Sequence, residues 1–386
     1  MNSREQTPAA AAWSAFLSEP AARIGLVGFG FLLALATLAP LLANGKPLLL
    51  LANGHWSAPF LRSFFAPESS EVLVEKIFNY LLLAALWLPA TWILPRKWRT
   101  AARIALAAAT LLPFLLTSPR MDKRDYRIGT AGAERVIFAP VPYGPDEIAG
   151  EPCAAPDREH WLGCDDIGRD LAARIVYGGR VSLAVGILST VIAMSIGVTV
   201  GMAAGFFRGR FDLIVMRLVE ILICFPTFLL LLILMSMLGD ADVAQSIPLV
   251  VAVLGLTGWL HPAMLVRGET LKQSAMPYVQ SCIVSGLSAR RIMFRHLLPN
   301  IMPPVLISFT FAVAGAIMSE SGLSFLGFGV RQPTASWGNL LRQAFDNPMS
   351  YWHLTLFPGL ALFIAVLSIN FMGEGLRRAF DAGGTR

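Results

Sequence analysis

Long apolar runs set the terms for this chain: residues 24–42, 182–206 and 354–372 each hold enough nonpolar side chains to cross a bilayer as a helix. A hydrocarbon core of roughly 30 Å takes about 20 residues of helix, and helices and closed barrels are the only structures that satisfy every backbone N–H and C=O inside it. Composition agrees. Of the 386 residues 55% are hydrophobic and only 15% charged, with a mean hydropathy of +0.61, too little polar surface to clothe a soluble globule of this size. A soluble enzyme, a disordered chain and a collagen are excluded. The net charge of +6 does not argue for nucleic acid, because 26 of the 31 basic residues are Arg, scattered in short clusters between the apolar runs. That is the pattern of membrane topology.

Counting runs gives an all-α integral membrane protein of about eight transmembrane helices, at 24–42, 78–94, 104–116, 182–206, 211–237, 247–265, 305–325 and 354–372. The first run follows a polar, Ala-rich leader ending at Arg23. That leader is too long for a cleaved signal peptide, so a retained helix is expected. Residues 1–50 thus form an N-terminal tail and first span, and residues 51–116 an inserted segment whose two helices meet at a basic tip, Arg96, Lys97, Arg99 and Arg103. Residues 117–180 read as a polar loop and an interfacial helix capped by Asp165 or Asp166, with Ile167, Leu171, Ile175 and Val176 at helical spacing. Residues 181–386 carry five further helices and a polar inside loop at about 266–304.

Orientation follows from charge. With both termini cytoplasmic, the inside connections carry Arg96 to Arg103, Arg208 and Arg210, then Arg267, Lys272, Arg290, Arg291 and Arg295, and finally Arg377 and Arg378. The acidic stretch 117–165 and the connection with Asp240 and Asp242 then fall outside.

The loop at 266–304 is too polar to span and too long for a turn. Its sequence predicts a short helix over Pro277, Tyr278, Val279, Gln280, Ser281 and Cys282, a break at Gly286, and a second helix closed by Pro299 after Leu298. An amphipathic helix held at a membrane face suits docking into a groove on a soluble partner.

The spacing from Gln280-Ser281-Cys282 through Gly286 to Leu298-Pro299 resembles the EAA loop of permease subunits in bacterial ABC importers. The stretches 162–170 (LGCDDIGRD), 175–183 (IVYGGRVSL), 294–300 (FRHLLPN) and 321–329 (SGLSFLGFG) are similar to segments of dipeptide and oligopeptide permeases. Residues 42–48 (LANGKPL) resemble, over a shorter stretch, the branch that imports peptide antibiotics of the microcin C kind. The resemblance implies a six-helix permease core, here enlarged by the two-helix hairpin, in the bacterial inner membrane. One departure is chemical: Gln280-Ser281-Cys282 stands where the family usually has Glu-Ala-Ala, so a neutral amide replaces the Glu that commonly contacts the ATPase.

What the resemblance implies about mechanism is an assembly: two ATP-binding subunits, a second homologous permease and a periplasmic substrate-binding protein. The chain has no G-x-x-x-x-G-K-[ST] loop, so ATP and magnesium belong on the partner subunits and the chain itself carries no cofactor or catalytic residue. Peptides are the implied substrate, with nickel and glutathione as alternatives carried by related permeases.

The rival class is a secondary transporter driven by ions. Such proteins need ionisable groups and broken helices near the bilayer midplane, and few are offered here: Glu220 sits one turn from Arg217 as a local ion pair, and Glu320 and Glu374 lie near span ends. The five His (55, 160, 261, 296, 353) are dispersed and the four Cys (153, 164, 224, 282) form no C-x-x-C pair, which leaves no metal spacing and no intramembrane catalytic constellation. Cys153 and Cys164 share one outside loop, where either a disulfide or two separate buried thiols would fit.

Overall fold

The computed structural model describes residues 8–52, 54–67, 72–117, 126, 135–238 and 246–383. Helix α1 (Pro8–Ser18) turns at Pro20 into α2 (Pro20–Leu42), the first long apolar helix. Two short strands, β1 (Leu49–Ala52) and β2 (His55–Ser57), and the single-turn-and-a-half helix α3 (Phe60–Phe65) lead to the hairpin, α4 (Val72–Ala90) and α5 (Arg96–Leu116). The turn between them is a 3-10 turn, Thr91–Ile93, ended by Pro95. Strand β3 (Arg135–Ile137) pairs antiparallel with β1 on the side away from β2, in the order β2-β1-β3, with Leu50 opposite both Ser57 and Val136.

The remaining helices build the main bundle: α6 (Leu171–Phe207), α7 (Gly209–Ile223), α8 (Thr227–Met237), α9 (Ser246–Thr257), α10 (Leu260–Ser274), α11 (Pro277–Val284), α12 (Ala289–Arg291), α13 (Leu298–Leu326), α14 (Trp337–Arg342) and α15 (Trp352–Gly383). Among the described residues seven helical segments are long and apolar enough to cross a membrane, and α7 with α8 makes an eighth if the bent pair is one span. The expected all-α membrane architecture is therefore what the chain adopts. Asp240, Asp242 and most of the stretch 118–134 lie outside the described residues.

Helix α6 is the axis of the bundle. Its buried core residues, Val181, Leu183 and Val185, join Leu32 and Ala36 of α2, Val250 and Leu254 of α9, Val313 and Ile317 of α13, and Ala365 and Ile369 of α15 in one cluster. Without a hydrophobic driving force between helices in lipid, close approach depends on small residues. Gly201 shows this: a Cβ there would collide with the Ala263 carbonyl of α10.

Four sequence expectations are corrected. The interfacial helix over 167–176 is not a separate element: α6 starts at Leu171 and runs 37 residues, and its cap is Asp170, whose carboxylate accepts from the Ala173 N–H at 2.9 Å. Asp165 is drawn instead into an ion cluster with Arg169 (2.6 Å) and Arg174 (3.1 Å), because two buried guanidinium groups need a counter-charge more than the helix needs a second cap. The run 211–237 is not one straight span, since α7 and α8 meet at 85°. Pro226 removes an N–H and pushes the residue before it out of helical geometry. The polar loop does not begin at 266: α10 continues to Ser274, with Val266 and Thr270 fully buried. Pro299 closes no helix, because it sits where a π-turn, Ile292–Leu297, hands over to α13 and the chain stays helical through it.

The end of the bundle opposite α11 is a compact polar cap. Tyr143 stacks on His160 at 4.5 Å between centroids, and His160 Nδ1 lies 2.8 Å from Asp170 Oδ2. Arg174 donates to the carbonyls of Pro145 (3.0 Å) and Pro333 (3.2 Å), and Arg180 to those of Ala36 (2.6 Å) and Thr37 (3.2 Å). Cys153 and Cys164 are both free thiols: Cys153 packs on the Leu171–Leu340–Leu354 cluster, whereas Cys164 lies against Gly150 and His160.

Burial pushes the Cys164 thiol up to about 12 and raises Cys153 as well. The thiolate is the reactive form. Maleimide labelling of the folded protein at pH 8 should therefore leave Cys164 unmodified, its rate about a thousandfold below that of an ordinary thiol, while denaturation without reductant should expose both thiols at once. Removing the Asp165 carboxylate by Asp165→Asn should destabilise the protein by about 3–5 kcal/mol, as breaking a buried pair does. Thermal unfolding in detergent, followed by size-exclusion fluorescence, measures it.

Candidate functional site

All nine residues singled out from the sequence fall in one place. Helix α10 ends at Ser274, Met276 is extended, and Pro277 opens α11 in the position where a proline is pre-organised for a helix start. Eight residues later α11 ends in a reversal in which the Leu287 N–H bonds the Cys282 carbonyl (3.2 Å) and the Gly286 N–H bonds the Ile283 carbonyl (3.0 Å). This is a Schellman cap, and it requires the left-handed conformation that Gly286 adopts, φ +72°. Leu298 and Pro299 begin α13 close by, so the loop is a helix–turn–helix closing on itself.

Helix α11 is two-faced. Val279 is fully buried in a cluster with Met202 of α6, Val266 of α10, Ile292 and Leu297 just before α13, and Ile301 of α13; Cys282, Leu287 and Leu298 pack against the same cluster. Pro277, Tyr278, Gln280, Ser281, Ile283, Val284 and Ser285 are exposed, Val284 at 88%. A single valine thus nails an otherwise solvent-facing helix to three long helices.

Hydrogen bonds fix its orientation. The Tyr278 hydroxyl donates to Gln273 Oε1 at 3.0 Å and accepts from Asn300 Nδ2 at 3.2 Å, so α10, α11 and α13 share one phenol. Burial raises the Tyr278 phenol above its ordinary value of 10.0, against the opposing Asn300 bond. The stabilisation from this contact is therefore fully present below the ordinary phenol range and is lost as pH rises beyond it. Gln280 Nε2 donates to the Ser274 carbonyl at 2.8 Å, which a carboxylate could not do. Gln280 thus caps the preceding helix within its own chain.

The second half of the loop holds a feature the sequence hid. After the three residues of α12 the backbone widens into a π-turn, Ile292–Leu297, and passes without a break into α13. Such bulges mark functional positions in helices. Here it buries Ile292 and Leu297 while leaving Arg290, Arg291 and Arg295 exposed beside α11. Two other contacts also escaped sequence reasoning. Arg267 of α10 binds Asp212 of α7 through two bonds, 2.5 and 2.7 Å, across 55 positions of chain, and Asn300 reaches Tyr278 across 22. No local spacing signals either pair. By contrast, the Arg217–Glu220 pair at 2.8 Å forms one turn apart, as its spacing requires, and is exposed.

Residues 197–384 match the family described as the inner membrane component of binding-protein-dependent transport systems, a stretch that contains α11 and every helix packed on it except the start of α6. A protein of Brucella suis biovar 1 named for a peptide transport system permease is 38% identical over 280 residues, 70% of this chain and 92% of that one. The chain belongs to this permease family. The oligopeptide transport system permease protein of Haemophilus influenzae is 39% identical over 231 residues, 59% of this chain and 72% of that protein. The glutathione transport system permease protein of Pectobacterium atrosepticum is 37% identical over 226 residues, 58% of this chain and 73% of that protein. The permease is thus a multi-pass membrane protein of the ABC transport class, and the hairpin α4–α5 lies wholly before the family-matched stretch.

Gly286→Val should strain the Schellman reversal by about 1–2 kcal/mol, since a β-branched residue resists the left-handed region, whereas Gly286→Asn should be tolerated. Hydrogen exchange over 277–287 reads this directly: faster exchange in the valine variant and near-native protection in the asparagine variant are expected.

Proposed function

We propose that this permease is one transmembrane half of an ATP-driven importer that moves peptides or peptide-like compounds from periplasm to cytoplasm. Helix α11 is its docking element for an ATPase. The observation that carries the reading is the two-faced α11: an exposed surface from Pro277 to Ser285, anchored by buried Val279 to α6, α10 and α13. A helix held this way transmits a push to three spans as a rigid body, which is the requirement for switching a pathway between outward and inward access.

Two ATP-binding subunits supply ATP and magnesium, a second homologous permease completes the pathway, and a periplasmic substrate-binding protein delivers the cargo. The basic connections favour α11 and both termini on the cytoplasmic side. Exposed Arg290, Arg291 and Arg295 beside α11 suit an acidic rim on the ATPase groove. Because Gln280 is neutral and bonded to Ser274, the docking contact rests on the apolar surface of Ile283 and Val284 more than on an ion pair. The peptide class is supported by relatives named for peptide and oligopeptide transport.

The test is purification of a tagged chain from its native membrane, with mass spectrometry and ATPase assay, alongside Val284→Asp. That side chain is 88% exposed, so the fold should stand. Two ATP-binding subunits and a second permease should co-purify with the parent chain, and the variant should hold the ATPase about tenfold less tightly or worse, as expected for a charge in an apolar contact. A chain that purifies alone, shows no ATPase and still moves substrate in vesicles would make an ion-driven transporter the correct class.

A further inference from the structure

We propose that the tip of the α4–α5 hairpin is a binding site for anionic phospholipid in the leaflet on the α11 side of the bundle. The hairpin has no part in the coupling site. Within its 21-residue apolar helix α5, only 6% of the spanning window is buried inside the protein, so something other than this chain covers it.

Charge says what that cover is. From Lys76 to Met121 the sequence contains no Asp or Glu, yet Arg96, Lys97, Arg99 and Arg103 fall within eight residues. Among the described residues no carboxylate pairs with any of the four. Such a cluster of unneutralised cations is attractive to one class of ligand above all, a negatively charged headgroup.

The geometry is prepared for it. Arg99 Nη2 donates to the Trp92 (3.0 Å) and Leu94 (3.3 Å) carbonyls, its guanidinium lies 5.8 Å from the Trp92 ring centre, and its Nε has no partner. Arg103 Nε donates to Thr91 Oγ1 at 3.1 Å. Both side chains are therefore held in place by intrachain bonds, and a planar guanidinium suits phosphate oxygens. Arg96 and Lys97 extend from the same turn with no side-chain bond among the described residues.

The surroundings fit a bilayer boundary. Trp92 (69%), Ile93 (89%) and Trp98 (61%) are exposed around the cations, and Leu86 (68%) and Ile104 (66%) continue the apolar surface down the hairpin. Exposed tryptophan beside arginine above a lipid-facing girdle is the arrangement of an interfacial anchor. The depth agrees as well. Lys76 Nζ donates to the Phe114 (2.6 Å) and Thr117 (3.0 Å) carbonyls, and Asn79 Nδ2 to Phe64 at 2.7 Å, which fixes the open end of the hairpin at the α3 side. The Phe78 ring, near the start of α4, lies 5.5 Å from the Arg180 guanidinium at the polar-cap end of α6, so about 30 Å of helix carries the tip toward the opposite boundary, the one occupied by α11.

The experiment uses the whole chain in nanodiscs with spin-labelled phosphatidylglycerol or phosphatidylcholine. The parent chain should retain phosphatidylglycerol several-fold over phosphatidylcholine. Arg96→Gln with Lys97→Gln should remove most of that preference and bring the two lipids close to equal retention, since one cation near the surface accounts for up to about five-fold. The unfolding midpoint of the parent should also rise as phosphatidylglycerol replaces phosphatidylcholine, a readout that needs no variant. Equal retention of both lipids by the parent, or an unchanged preference in the double variant, overturns the proposal. So does displacement of the labelled lipid by millimolar inorganic phosphate, which would mean a free-anion site. Protection of Lys97 from amine reagents only in complex with other subunits, and not in phosphatidylglycerol nanodiscs, would make the tip a protein contact and equally overturn it.

Discussion

The guanidinium groups of Arg174 and Arg180 are 0% and 1% exposed, one helical turn and a half apart on α6, and their donors need acceptors that α6 cannot provide. They find them in the carbonyls of Ala36 and Thr37 on α2, Pro145 in the polar cap and Pro333 before α14. Three stretches distant in sequence are thus tied to one helix by buried guanidinium groups. A little deeper, Glu320 of α13 is fully buried and accepts from Ser182 (3.1 Å) and Ser324 (2.7 Å), while Ser182 Oγ in turn accepts the Trp337 N–H at 3.2 Å. Losing such a bond leaves a desolvated polar group in an apolar surrounding, and this gives the cap its rigidity.

That rigidity frames the two ends of α13. Its start carries the π-turn and the Tyr278–Asn300 bond beside α11, and its end carries the Glu320 knot. The same 29 residues therefore belong to both the loosely covered end and the locked end. In the proposed importer, a displacement of α11 reaches the opposite boundary through an uninterrupted rod, with the Arg267–Asp212 pair recruiting α7 on the way.

Hydropathy located every span, because lipid solvation is a property of a window of residues and needs no knowledge of neighbours. It could not foresee the 85° bend at Pro226, where the proline decided geometry that apolar composition could not. Gly286 was legible as a break because its conformational freedom is written in one residue, and its φ of +72° is the reason it stands there. Pro299 misled: the rule that proline ends helices assumes a regular ladder, and here the π-turn before it has already interrupted that ladder. The burial of Glu320 was invisible, since its position near a span end is all that sequence reports, while its three serine partners come together only through packing. Residues 8–18 looked like polar leader, yet Phe16 is buried against Ala22 and Ala379, which joins α1 to the last helix.

The three-stranded sheet has a consequence for how such a chain came to be longer than its relatives. Strands β2 and β3 flank β1 on opposite sides, and β2 ends beside Leu50 while β3 starts beside Leu51. β2 precedes α3 at one edge of this clasp and β3 follows α5 at the other, two strand spacings apart. An insertion anchored so can lengthen between β2 and β3 while the strands that flank it keep their pairing to β1. Of the two hairpin helices only α4 is bound to the transport core, with Val74 and Phe78 buried in the main cluster and the Phe78 ring lying 5.5 Å from the Arg180 guanidinium, so α5 is the part left to change without disturbing that core.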